Sequence, residues 1–214
     1  MYSHSKSVLV AIAGLCAVSA QAQVSLEIFG SGFGATDVSA DGSVIVGNSI
    51  NDSLYQQARW TRDTGFVLLG RATGPVFGTG GGAPQVSYDG TRVSSTITGG
   101  NDSYITAGIW TEGQGWQEIF PPLLPGAVLL DLSFGSSWAL SGDGSTVAGL
   151  FWRDRLTFGG GSAHAFSWNE TDGATDLGGS LTADSSRANG VNEDGSVVVG
   201  WERIDPGQWQ PAVW

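Results

Sequence analysis

Positive charge, sulfur and helix-forming residues are all scarce in this chain. Lys6 is the single lysine beside eight arginines, set against twenty carboxylates, for a formal net charge of −11. A field of that sign repels a phosphate backbone and anionic lipid, which argues against nucleic acid and membrane surfaces as partners. With Cys16 as the one cysteine, no intrachain disulfide can staple the fold, so stability must come from a buried core. No apolar run reaches the roughly 20 residues that cross a bilayer as a helix. Lys, Glu, Gln and Met are sparse, while glycine occurs 34 times and Val, Ile, Thr, Trp and Phe recur in short runs. Many short strands joined by glycine turns is the expectation. Disorder is disfavoured by 41% hydrophobic content and nine tryptophans.

The N-terminus reads as a leader. Lys6 precedes an apolar run from Val8 to Val18, and Ala20-Gln21-Ala22 offers the small residues of a cleavage site. A signal peptide over 1–22 is expected, cut between Ala22 and Gln23, with 23–214 as a single β-repeat domain. Leu15 before Cys16 is too large for a lipobox, so the expected location is secreted, periplasmic or cell-surface, with no membrane insertion after cleavage. Cleavage removes Lys6 and Cys16 and leaves 8 arginines minus 20 carboxylates, a charge of −12.

A period near 50 residues organises the rest. Asp-Gly pairs recur at Asp41-Gly42, Asp89-Gly90, Asp143-Gly144 and Asp194-Gly195. Three residues before each Asp stands Val38, Val86, Leu140 or Val191, and four after it stands Ile45, Val93, Val147 or Val198. Asp-Gly between apolar positions is a hairpin signal and predicts the type I′ turn, in which both central residues take positive φ. Six residues after the Asp comes Gly47, Gly149 or Gly200, with Ser95 as the exception, which predicts close approach of another backbone. Each unit then reaches a tryptophan, at Trp60, Trp110, Trp168 and Trp214. Gly65, Gly115 and Gly173 follow five residues on, and Leu69, Ile119 and Leu177 four beyond.

The units therefore predict an all-β fold of four repeats, each of about four antiparallel strands, most simply a small β-propeller. The fourth unit lacks a strand after Trp214, and Glu27-Ile28-Phe29 repeats Glu118-Ile119-Phe120 of the second. The segment from Leu26 to Phe29 is accordingly expected to complete the last sheet and close the ring. Part of a larger propeller, or an open array, is the alternative.

Unit three contains His164-Ala165-Phe166-Ser167-Trp168, then Asp172-Gly173-Ala174-Thr175-Asp176-Leu177-Gly178-Gly179 and Asn189-Gly190-Val191-Asn192-Glu193-Asp194-Gly195-Ser196. This stretch resembles the extracellular HAF-repeat proteins of bacteria, named for the His-Ala-Phe triplet. The other units carry Gln57-Ala58-Arg59, Ala107-Gly108-Ile109 and Pro211-Ala212-Val213 in its place. The resemblance implies an exported, propeller-like repeat protein, and it transfers no catalytic residue.

No catalytic, cofactor or metal set stands out. His164 is the one histidine beyond the leader, with no second histidine or cysteine for a metal site or charge relay. Asn192-Glu193-Asp194 and the stretch Asp172 to Asp176 gather oxygens that would admit a structural calcium ion, but no calcium-loop motif surrounds them. The connection between second and third strands varies instead: from the small residue to the tryptophan it spans 13, 15, 19 and 14 residues. Variable connections mark a binding face. The residues nominated there are Tyr55, Tyr104, Trp152, Arg153, Arg155, Trp201 and Trp209, suited to a glycan or to an envelope or extracellular protein. The leading expectation is a non-enzymatic binding or scaffold module. A propeller hydrolase or lyase acting on a polysaccharide or lactone, and a segment of a surface array, are the alternatives.

Overall fold

A computed structural model of the chain describes residues 26–28, 30–50, 56–70, 82–100, 104–120, 135–152, 163–178, 185–205 and 207–214. The leader predicted over 1–22 lies outside them. Two units divide the chain, Met1–Gly30 and Ser31–Trp214. In the first, the described residues carry no helix or strand.

The second unit is all β among the described residues, in four antiparallel sheets whose strands follow in chain order. Sheet one holds β1 (Phe33–Val38), β2 (Val44–Ser49), β3 (Gln57–Thr61) and β4 (Gly65–Gly70). Sheet two holds β5 (Gln85–Val86), β6 (Arg92–Gly99), β7 (Tyr104–Thr111) and β8 (Gly115–Ile119). Sheet three holds β9 (Gly135–Leu140), β10 (Val147–Trp152), β11 (Ala163–Asn169) and β12 (Gly173–Asp176). Sheet four holds β13 (Ser185–Val191), β14 (Val198–Asp205) and β15 (Gln208–Val213). The repeat thus places every expected hairpin where the Asp-Gly and Trp-to-Gly spacings put it.

The Asp-Gly reversal is longer than a two-residue type I′ turn. The Ser39 N–H bonds the Val44 carbonyl at 2.9 Å and the Gly42 N–H bonds the Ser39 carbonyl at 2.9 Å, so the chain reverses between Ser39 and Val44. The carboxylate explains the extra length. Asp41 Oδ1 accepts from the Ser43 N–H at 2.9 Å and from the Ser39 and Ser43 hydroxyls, each at 2.8 Å. Gly42, at φ 74°, then carries the chain back, a conformation costly for any residue with a Cβ. Ser87-Tyr88-Asp89-Gly90-Thr91 and Ser141-Gly142-Asp143-Gly144-Ser145 repeat this arrangement. In unit four Asn192 replaces the leading serine, and its Oδ1 accepts the Val197 N–H at 2.9 Å, as Ser39 Oγ accepts that of Val44 at 3.0 Å.

The small residue of the second strand does face a backbone. A Cβ on Gly47, Gly149 or Gly200 would lie 2.0, 2.0 or 1.9 Å from the carbonyl oxygen of Gly34, Ser136 or Arg187 on the first strand. Next to each contact the first strand slips register, between Ala35 and Asp37, around Trp138, and between Ala188 and Gly190. These are β-bulges, which re-aim one side chain per strand. In sheet two β5 is only two residues long and pairs no further than Gln85 with Ser94, so Ser95 meets no such carbonyl.

Three hydrophobic clusters lie between successive sheets. Val44 and Val46 meet Val86 and Val93; Ala107, Ile109 and Ile119 meet Val147, Phe166 and Trp168; Ala139, Ala148 and Ala165 meet Ala188 and Val198. The Asp-Gly turns are bonded in series as well. The Ala40 N–H donates to the Tyr88 carbonyl (3.0 Å), the Tyr88 N–H to Gly142 (2.7 Å), and the Asp143 N–H to Glu193 (2.9 Å). Among the described residues no cluster and no backbone bond joins sheet four to sheet one.

The strand expected over Leu26 to Phe29 is absent at its described positions. Leu26 and Ile28 are 87% and 81% exposed and outside any strand, and sheet four has three strands; Phe29 lies outside the described residues. Gly30 and Gly32 take positive φ, 133° and 86°.

Candidate functional site

The site is assembled by the alternation of sheet four. Val198, Gly200 and Glu202 of β14 turn toward sheet three: Val198 joins the third cluster and Glu202 is buried. The intervening residues Val199, Trp201 and Arg203 therefore turn outward. Their cross-strand partners on β15 are Val213, Pro211 and Trp209 respectively, and Arg187 of β13 pairs with Trp201. One face of the sheet thus carries two tryptophans and two arginines in adjacent rows.

These side chains stack. Trp201 and Trp209 meet edge to face, with ring centroids 4.2 Å apart and planes at 79°. The Arg187 guanidinium lies 3.8 Å from the Trp138 ring centroid and 5.2 Å from that of Trp201, and the Arg203 guanidinium lies 5.8 Å from that of Trp209. The ladder runs Trp138, Arg187, Trp201, Trp209, Arg203. Partial burial lowers the Arg187 guanidinium from its ordinary value, which still leaves it charged at neutral pH. Each cation–π contact contributes about 0.5–1 kcal/mol at such half-exposed positions. Trp209 remains 56% exposed, with Val199 and Val213 at 43% and 71% beside it.

The other nominated residues fare differently. Tyr55, Arg153 and Arg155 lie outside the described residues. Tyr104 opens β7, where its hydroxyl donates to Glu118 and its ring packs against Phe120 at 5.9 Å. Trp152 ends β10, half-buried. Among the nominated residues that are described, Trp201 and Trp209 are brought together. Arg187 and Arg203 were not nominated, because which face a strand residue occupies depends on register, and β13 slips register at Asn189.

His164 is buried in β11 with Nδ1 3.0 Å from Asp176 Oδ1 and its ring 5.8 Å from Phe151, the packed strand position expected of it. Three of the carboxylates in the stretches proposed for calcium accept local hydrogen bonds. Asp176 also accepts the Gly178 N–H at 2.7 Å, Asp172 accepts from Asn169 at 3.0 Å, and Asp194 accepts the Ser196 N–H at 3.0 Å. Beside Asp143 and Asp194 an open cleft of about 670 Å³ also borders Glu170, whose carboxylate pairs with Arg92. Among the described residues no three His, Cys, Asp or Glu side chains are placed to share a metal ion.

No family model matches the sequence, and no curated protein matches it. Among solved structures, TolB from Acinetobacter baumannii superposes on 85% of this chain and 41% of its own length, with a TM-score of 0.55 and 14% identity. A protein described as TolB from Agrobacterium tumefaciens superposes on 85% of this chain and 57% of its own, with a TM-score of 0.50 and 14% identity. The chain therefore spans less than two thirds of either protein. At that identity the likeness concerns the fold: an all-β, propeller-like succession of antiparallel sheets.

Proposed function

We propose that the chain is a non-enzymatic binding or scaffold module of an exported, HAF-repeat type, and that it engages a protein through the outward face of sheet four. The observation that carries this reading is the part of the Trp–Arg ladder on sheet four. Trp and Arg are the residues most enriched where protein interfaces concentrate their binding energy, and here Arg187, Trp201, Trp209 and Arg203 sit half-exposed on a sheet backed by the third cluster. Exposed Val199 and Val213 extend the face into an apolar patch of the kind that marks an interaction surface. Location outside the cytoplasm rests on the leader pattern, Lys6 followed by the apolar run Val8 to Val18 and Ala20-Gln21-Ala22.

A glycan is the second reading, favoured by the same Trp201–Trp209 pair, since an indole face with a neighbouring guanidinium suits a sugar ring and its hydroxyls. The hydrolase or lyase alternative would place carboxylates together around one opening. Asp37 is the one carboxylate on the described residues of β1, β5, β9 and β13, and it accepts the Val86 and Val38 N–H groups at 2.8 and 2.9 Å. Closure of the four sheets into a ring is the competing arrangement: it would join the outward face of sheet four to the opposite face of sheet one and bury this surface.

The test is capture of envelope proteins by the immobilised chain, with a glycan array in parallel. Trp209→Ala is expected to lower retention at least tenfold while leaving the melting temperature within about 2 °C, because Trp209 is more than half exposed. Equal retention by the variant and the parent chain would overturn the assignment of this face.

A further inference from the structure

We infer that the partner of this face is a second copy of the chain, whose sheet one seats on sheet four, with the contact made reciprocally between two copies. The inference rests on the proposed role of the outward face and names its occupant.

One interface repeats along the chain. At the first and third internal boundaries a sheet presents residues three and five after its Asp, and the next sheet presents those three before and four after its own Asp; at the second, Arg92 and Ser94 take the first pair of places and bond the Gly144 carbonyl and the Ser137 hydroxyl. Val44 and Val46 thus meet Val86 and Val93, and Ala148 meets Val198 with Val191 packed alongside. At the ends of the stack both halves are bare. Sheet four offers Val197 and Val199, 40% and 43% exposed, at the positions where Val44, Val46 and Ala148 are at most 4% exposed. Sheet one offers Val38, 51% exposed, at the position of Val86, which is 5% exposed, and adds Phe66 and Leu68 at 43% and 46%.

Two finer features repeat the pattern. A Cβ on Gly90, Gly144 or Gly195 would meet Val44, Arg92 or Thr146 of the preceding sheet within 2.9 Å, whereas Gly42 has nothing within 4 Å, leaving the place that Val197 would fill. The ladder of turn-to-turn bonds ends on the Glu193 N–H at one side and the Ala40 carbonyl at the other, a donor and an acceptor of matching kind. Sheet four and sheet one are therefore the two complementary halves of a contact this chain already makes three times. Among the described residues the four sheets leave those halves apart, and a second copy carries the complement of each. Two copies joined reciprocally make two identical interfaces about a two-fold axis and leave no half uncovered. They also supply eight sheets, within the roughly four to eight of closed propellers.

The experiment uses the full chain with Cys16→Ser, so that introduced cysteines stand alone. Val38→Cys and Val199→Cys are made separately, mixed and oxidised, and the product is read on a non-reducing gel beside the mass of the parent chain by sedimentation equilibrium. The expected result is a disulfide-linked pair from the mixture, under a tenth as much from either variant alone, and a concentration-dependent mass approaching two chains for the parent. The chain carrying both cysteines should give a linked pair. Three outcomes overturn the inference: no linked pair from the mixture, a double variant that closes within one chain at high dilution, or a ladder of higher multiples. If the parent chain stays at one copy while Trp209→Ala still loses captured protein, the second copy is refuted and the binding role of the face stands.

Discussion

At the scale of single residues, the turn aspartates are the most consequential side chains in the repeat. Hydrogen bonds from the Ser43 backbone N–H and from the Ser39 and Ser43 hydroxyls hold the Asp41 carboxyl at about 2, and bonds from Ser87, Ser141 and Ser196 among others hold Asp89, Asp143 and Asp194 below the usual value of 3.8. A carboxyl that titrates lower in the folded state stabilises the fold above its unfolded value, and that contribution disappears as pH falls through the folded one. Melting temperature followed by circular dichroism should therefore hold steady down to about pH 4 and fall toward pH 2, and Asp89→Asn should flatten the fall. A steep, unchanged acid transition in the variant would contradict this role. Asp89→Ala at neutral pH strips the acceptor from three donors and should cost about 1–2 kcal/mol, the low end of the range for a charged acceptor because the site is exposed.

At the scale of strands and hairpins, the first strand's bulge and the second strand's glycine act as one device. Gly149→Ala drives a methyl to 2.0 Å from the Ser136 carbonyl and should cost about 3 kcal/mol or more in urea unfolding. Ser95→Ala, where β5 stops short, should cost about 1 kcal/mol or less; comparable losses at the two positions would refute the device. Spacing alone made much of this legible: the Asp-Gly positions, the small residue six later and the tryptophan each found the element expected. It did not make legible the bulges, which shift alternation by one residue and so decide that Arg187 faces Trp201. The length of the turn is not legible in the Asp-Gly pair alone, because it depends on a serine two residues before the Asp donating to its carboxylate. A tripeptide match of Glu27-Ile28-Phe29 to Glu118-Ile119-Phe120 reports side-chain pattern, and the described residues 26 to 28 form no strand.

At the scale of the whole stack, the account turns on one contact made three times within the chain and left bare at both ends. Trp201 and Trp209 could be nominated because they fall outside the repeat grammar; that they share a face with Val197, Val199 and Val213 required the sheet. The turn-to-turn ladder offers the most direct reading of this arrangement, by amide hydrogen exchange. The N–H groups of Ala40, Tyr88 and Asp143 donate to the next turn and should be protected at every protein concentration, while that of Glu193 should exchange freely in dilute solution and gain protection as concentration rises. Protection of Glu193 that is independent of concentration, or free exchange at Ala40, Tyr88 and Asp143, would contradict an open stack that is completed by a second copy.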